Sequence, residues 1–361
     1  MESGIYFDSP QPRPRSARKV IGWSLIGMVA VAAVIGAFLP APYVIEAPGP
    51  VFNVLGNEGK LPIISVTDAK TYPTDGALDL LTVSLYGDPS NRPSWGEIAL
   101  AALNPAEAIT PIDVMFPPQV SSGKVEQANT AMMTDSQEAA TAVALKALGY
   151  RYSYRVMVAE VEKNTPSAGI LKAGDEIVTV NNVAVTGFNQ LLKVVQKAKG
   201  TAIEVTVLRS GVEKTFVITP KKMKNIWRLG VLVGTKFHFP IKVQLSLDGV
   251  GGPSGGTMFA LGIYDKLTPG SLTGGQLIAG TGTIDENGKV GEIGGIQQKM
   301  FGAVRGGAKW FLAPAANCSE VVGHVPAGLT VVKMSNFGEA LAAVRQIATK
   351  HNATGLATCT K

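Results

Sequence analysis

Between Asp248 and Met258 the chain reads DGVGGPSGGTM, five glycines and a proline around one serine, Ser254. Regular structure is unstable through such a stretch, because glycine loses more backbone freedom on ordering than any other residue. Apolar segments flank it. PIKVQLSL (240–247) reads as a strand, and Met258, Phe259, Leu261 and Ile263 mark a buried helix. A strand–loop–helix junction is therefore expected, with Ser254 at the start of the helix. The first N–H groups there lack intrahelical partners and the dipole end is positive. That setting favours negative charge, whether on a phosphate or on an acyl-transfer transition state.

Three chemistries compete for this loop. The phosphate-binding pattern GxxxxGK[ST] is absent, since GNEGKLP and DENGKVG lack both the first glycine and the Ser/Thr. ATP binding is accordingly not expected. The elbow GxSxG is satisfied by Gly252–Gly256, with Asp285 and His324 or His351 following in the order an α/β-hydrolase uses. Such a fold needs several βα units before the elbow, and the preceding segment reads differently. The third option is activation of serine by a neutral lysine. In GGIQQKMFGAVRGGAKWFLAP a helix begins near Gly295, with Ile296, Met300, Ala303 and Val304 on its apolar face. Lys299 lies along that face, while Gln297 and Gln298 take the polar side. A lysine among core positions costs free energy unless it is neutral or paired. The alternative is a lysine that snorkels from the edge of an amphipathic helix.

The 361 residues, 46% of them hydrophobic, suffice for two medium domains and extras. From Val20 to Leu39 the chain reads VIGWSLIGMVAVAAVIGAFL, with no charge, long enough to cross a bilayer as a helix. Arg13, Arg15, Arg18 and Lys19 precede it, so the N-terminus is expected to be cytoplasmic and the catalytic part extracytoplasmic. This is a single-pass cell-membrane placement with the lipid bilayer as partner. A cleaved secretory signal is the other reading. The net charge of +6 falls to +4 beyond Leu39 (29 basic, 25 acidic side chains), with no basic block, so nucleic acid is not an expected partner. Cys318 and Cys359 permit one disulfide in an exported chain. The three histidines are scattered, no metal-ligand spacing appears, and no cofactor is expected.

The fold class expected is α+β. Residues 1–19 form a cytoplasmic tail, 20–39 a transmembrane helix, and 40–150 a mixed α/β region that opens on a proline-rich stalk. Helices are expected over Ser94–Leu103 and about Lys124–Leu148. Residues 151–222 run strand, turn, short helix, strand, hairpin, helix, strand, turn, strand. With Pro166–Ala168 and LKAGDEIVTVNNVAV (Leu171–Val185), this segment resembles a PDZ domain. In its helix Phe188–Lys199, Leu191, Leu192, Val195 and Ala198 point to the core. The resemblance implies a groove for extended protein or peptide partners, with its carboxylate-binding loop near Ala147–Ser153.

Residues 226–350 resemble the proteolytic domain of Lon proteases, and 351–361 form a C-terminal tail. The carrying stretches are DGVGGPSGG, AGTGTIDENGKVGEIGGIQQK (Ala279–Lys299), GGAKWFLAP and AANCSEV. The resemblance implies Ser254 as nucleophile, Lys299 as its base and Thr281 as the residue holding that lysine. Asp248, Gly255 and Gly256 are supporting positions, and a homo-oligomer, hexameric in the family, is implied as well. The family's GPSAG is GPSGG here, and its T-G-E glutamate is Thr283. Anchor, PDZ and Lon-like domain in that order resemble membrane-anchored, ATP-independent Lon-like serine proteases. A non-catalytic PDZ adaptor is the competing reading.

Overall fold

The computed structural model describes residues 17–118, 120–223 and 225–360. It opens on helix α1 (Ala17–Ala37). This helix takes Arg18 and Lys19 into its first turn and ends before Phe38 and Leu39, whose N–H groups close a turn on Ile35 O and Gly36 O. The uncharged run and the helix therefore do not coincide. Among the described residues no helix is long and apolar enough to cross a membrane. The transmembrane helix expected over 20–39 is corrected on that finding. So are the single-pass placement, the cytoplasmic and extracytoplasmic sides, and the lipid partner that depended on it. Of the tail expected over 1–19, residues 1–16 lie outside the described residues.

Two long apolar runs form the middle of the principal sheet. Strands β1 (Tyr43–Asn53) and β2 (Ala77–Tyr86) pair antiparallel, and β1 also pairs with β3 (Ala108–Pro111). Helix α2 (Trp95–Ala101) lies between β2 and β3 in sequence, and a capping box of Ser94 and Glu97 starts it. Helix α3 (Ser122–Ala147) follows, close to the span that its alanines predict.

The next strands build a second sheet, from β4 (Ser153–Val161), β5 (Glu176–Val180), β6 (Ile203–Arg209), β7 (Val212–Ile218) and β8 (Val231–His238), with α4 (Phe188–Ala198) between β5 and β6. The strand order is β7-β6-β5-β4-β8. Strand β8 pairs with β4 over its whole length, from Val231 opposite Val161 to His238 opposite Ser153. The PDZ-like sheet thus extends past residue 222, into a segment expected to belong to the next domain. Its core includes Leu191 and Val195 of α4, but Leu192 is exposed.

The chain then returns to the first sheet. Helix α5 (Gly256–Lys266) leads to β9 (Leu277–Gly280), then α6 (Ile296–Arg305), β10 (Trp310–Pro314), the short α7 (Cys318–Val321), β11 (Thr330–Met334) and α8 (Phe337–Lys350). The completed order is β11-β10-β9-β2-β1-β3, parallel from β2 through β11. Side chains of β2 alternate between faces, as strand geometry requires. Leu78 and Leu80 join a core with α3, α5 and α8, whereas Leu81 joins the core of α6. Residues 40–150 are therefore not a unit apart. They share one sheet and one core with 239–350, and the PDZ-like sheet is inserted between the two halves with its own core.

Candidate active site

Ser254 sits two residues before α5, as the glycine loop and the apolar run after it require. Lys299 lies in the first turn of α6 and is 3% exposed, because its neighbours Ile296, Met300 and Ala303 are fully buried on the same face. Lys299 Nζ donates to Ser254 Oγ at 2.9 Å and to Thr281 Oγ1 at 3.2 Å. Thr281, just past β9, in turn donates its hydroxyl to Ser254 O at 3.1 Å. Three residues that are 45 and 18 positions apart in sequence thus close one hydrogen-bonded triangle. No acidic partner is bonded to the lysine among the described residues, and burial lowers its pKa to about 8. Burial thus brings the neutral amine within easier reach near pH 7 than in an exposed lysine.

The loop is held from a distant part of the chain. Ser136 Oγ on α3 donates to Pro253 O at 2.8 Å, and Gly252 N donates to Asn129 O at 2.9 Å. On the other side Gly282 N donates to Ser254 O at 2.8 Å. Gly256 N is engaged with Pro253 O at 3.3 Å, whereas the N–H groups of Ser254 and Gly255 make no hydrogen bond among the described residues. Those two N–H groups, unlike that of Gly256, are left without an internal acceptor among the described residues. Gly256 serves close packing instead. A Cβ there would meet Ser136 Oγ at 2.6 Å and Ile284 Cγ2 at 2.8 Å. At Gly255, where the resembled family has alanine, the Leu80 side chain occupies the space a methyl would need.

Ser254, Gly255 and Lys299 open onto a cleft of about 530 Å3. One wall is β2 from Leu80 to Leu85; another is the loop Asp248–Gly251. Strand β9 ends at Gly280, opposite Leu80, so β2 has no ladder partner on that side from Leu81 onward among the described residues. Asp248 stands exposed at the rim, with its N–H bonded to Glu58 Oε2 at 3.0 Å, and its carboxylate takes no part in the triangle. Of the histidines that a hydrolase triad would draw on, His351 bonds Gln276 at 2.9 Å. Cys318 and Cys359 are joined, with Cα atoms 5.0 Å apart.

Ser136, Asn129 and Asn317, which holds the chain ahead of α6, carry no local signal in the sequence. Ser136 and Asn317 act through side chains and Asn129 through its main-chain carbonyl, each on a segment at least 24 positions away.

Comparison with known proteins finds two domain families, with bounds that differ from those of the two sheets. Residues 129–219 match the PDZ domain family, and residues 237–346 match the family described as Lon protease (S16) C-terminal proteolytic domain. A Lactococcus lactis (strain IL1403) protein named "Putative zinc metalloprotease LL2128" is 31% identical over 121 residues, 33% of this chain and 22% of that protein. The Lon protease of Buchnera aphidicola subsp. Schizaphis graminum is 28% identical over 179 residues, 47% of this chain and 21% of that protein. The chain therefore matches only about a fifth of the length of those two relatives. Among solved structures, the PDZ domain of the SdrC-like protein from Listeria innocua is similar at 22% identity and a TM-score of 0.21, covering 22% of this chain and 92% of that one. The chain carries a PDZ domain followed by a Lon-type (S16) proteolytic domain.

Proposed function

We propose that this chain is a serine endopeptidase that works without ATP through a Ser254–Lys299 dyad, with the PDZ domain recruiting or gating its protein substrates. The observation that carries the reading is the 2.9 Å approach of a buried lysine amine to a serine hydroxyl at the mouth of a cleft. Neutral Lys299 accepts the proton of Ser254 Oγ as the oxygen attacks a peptide carbonyl. The N–H groups of Ser254 and Gly255 take the developing oxyanion, which preorganised backbone dipoles stabilise strongly in a water-poor site. The lysine, now charged, returns its proton to the leaving amine. Neutral again, it takes a proton from the water that attacks the acyl-enzyme and returns it to Ser254 Oγ as the ester bond breaks. Thr281 keeps the amine on the serine side by accepting one of its hydrogens.

The free edge of β2 beside the serine offers main-chain partners to an extended substrate. Strand β8 likewise pairs on one side only among the described residues, which suits an extended peptide at the PDZ domain. The nucleotide loop is missing from the sequence, so substrates are expected to be unstructured segments rather than folded domains. The test is cleavage of a dye-labelled casein by the full chain. Ser254→Ala and Lys299→Ala should each lower kcat by at least about a thousandfold at unchanged far-UV circular dichroism. Either variant cleaving at the wild-type rate excludes the dyad.

A further inference from the structure

Lys299 reaches Ser254 only if α6 begins at the right height, and the start of α6 has no cap of its own. Its N-cap, Gly295, has a φ of 67° and gives no side-chain hydrogen bond. The first helical bond runs from Lys299 N to Gly295 O at 3.0 Å, so the lysine is fixed directly by the position of that glycine. Gly295 is placed by the residues before it, and there a single side chain grips the main chain. Asn317 accepts from Ile293 N at 3.0 Å and donates to Ile293 O at 2.8 Å, which imitates a strand pair on one residue. Asn317 is 1% exposed, so neither bond is exchanged readily with water. Glu320 completes the grip. Its carboxylate accepts from Asn317 Nδ2 at 2.8 Å, and its carbonyl accepts from Gln297 Nε2 in the first turn of α6 at 3.1 Å.

The clamp itself needs support. Asn317 ends a short 3-10 turn (Ala315–Asn317) and leads into α7, which is four residues long and too short to persist alone. Two things hold α7 down. Val321 is buried with Ile293, Ile296 and Met300, and Cys318, its first residue, is bonded to Cys359 of the tail. The tail is anchored in turn by Lys333 N, which donates to Ala357 O at 2.7 Å beside β11. Both cysteines are partly accessible, so a reductant can reach the bond.

We infer that Asn317, braced through the Cys318–Cys359 bond, is a positioning residue that sets Lys299 against Ser254, so that the oxidation state of this bond tunes the peptidase. The inference rests on the dyad reading above. Reduction by a dithiol delivers two electrons and two protons. The S–S bond breaks, Cys318 and Cys359 become thiols, and the dithiol closes to its own disulfide. With α7 released, the start of α6 loosens, water reaches the amine, and Lys299 returns toward an ordinary lysine.

The readout is the pH–rate profile of casein cleavage by the full chain, before and after reduction with dithiothreitol. In the oxidised enzyme the rising limb is expected near pH 8, from the burial of Lys299. Reduction should move the limb upward by at least about half a unit and lower kcat/KM at pH 7 about tenfold, reversibly on reoxidation. The double variant Cys318→Ser, Cys359→Ser should show the shifted limb from the start and ignore the reductant. Asn317→Ala should shift the limb further, with kcat/KM down about a hundredfold. Superimposable profiles in the oxidised and reduced wild type overturn the redox brace. A stable Asn317→Ala protein with an unmoved limb overturns the positioning role, and if that variant does not fold, the reduction arm decides alone. Ser254→Ala or Lys299→Ala remaining active fails the dyad reading instead, whatever the limb does.

Discussion

Lys299 is the residue at which stability and proposed chemistry oppose each other. It is 3% exposed, has no carboxylate partner among the described residues, and titrates near 8 because burial disfavours its charge. A lysine whose folded pKa is lowered leaves the unfolded chain with more bound protons between about pH 8 and the ordinary value near ~10.4. Stability therefore rises with pH across that window, and the full penalty, about 3 kcal/mol, applies below it. Lys299→Met should raise the Tm at pH 7, with the gain shrinking as the pH approaches 10. A melt series from pH 6 to 10 checks this, and a gain that is flat with pH removes the argument from burial. Thr281 belongs to the same scale. Its hydroxyl ties the lysine amine to the serine carbonyl and so couples the two ends of the dyad.

Among the elements, α3 has the largest role that its own sequence does not announce. Its alanines mark it as a packed helix, and Ala140, Ala142, Ala144 and Leu145 are fully buried. What they do not announce is that Ser136 and Asn129 hold the loop of Ser254. The loop answers with Gly256, where any side chain would press on Ser136 Oγ and Ile284. Gly256→Ala should destabilise the protein by roughly 1–3 kcal/mol through overpacking. Combined with Ser136→Gly, which removes the obstructing hydroxymethyl, the cost should fall below the sum of the single changes. Urea denaturation of the three variants measures the coupling, and strict additivity refutes the contact as its cause. Gly295 is a second glycine with a specific reason. Its φ of 67° disfavours any side chain, and a Cβ there would meet a Val83 methyl at 2.6 Å.

For the whole molecule the governing fact is insertion. The PDZ sheet spans β4 to β8 around a core of its own, while strands before and after it complete one sheet around another. At the junction Tyr152 and Phe239 pack edge to face, with ring centroids 5.3 Å apart, so entry and exit lie side by side. Replacing residues 153–238 by a short flexible linker should therefore leave the proteolytic sheet folded. Cleavage of casein should persist with a KM raised several-fold and a kcat within about threefold, if the PDZ domain recruits substrate. A collapse of kcat at unchanged KM indicates gating through α3 instead, and loss of the cooperative melt contradicts the separateness of the two cores.

Local chemistry alone determined a good part of this protein. The glycine loop, the apolar helix after it and the lysine on a buried face are all legible because period and residue type act within one turn or one strand. The order of strands and turns in the PDZ domain is legible for the same reason. The uncharged run near the N-terminus misled, since the absence of charge does not set where a helix starts and stops, and this one ends at Ala37. Tertiary structure alone decided the rest. That β1 and β2 are central strands of the proteolytic sheet, that β8 belongs to the PDZ sheet, and that Asn317 grips Ile293 all depend on pairings between distant segments. Such pairings are selected by which faces can be buried together, a property of the assembled chain that no window of the sequence contains.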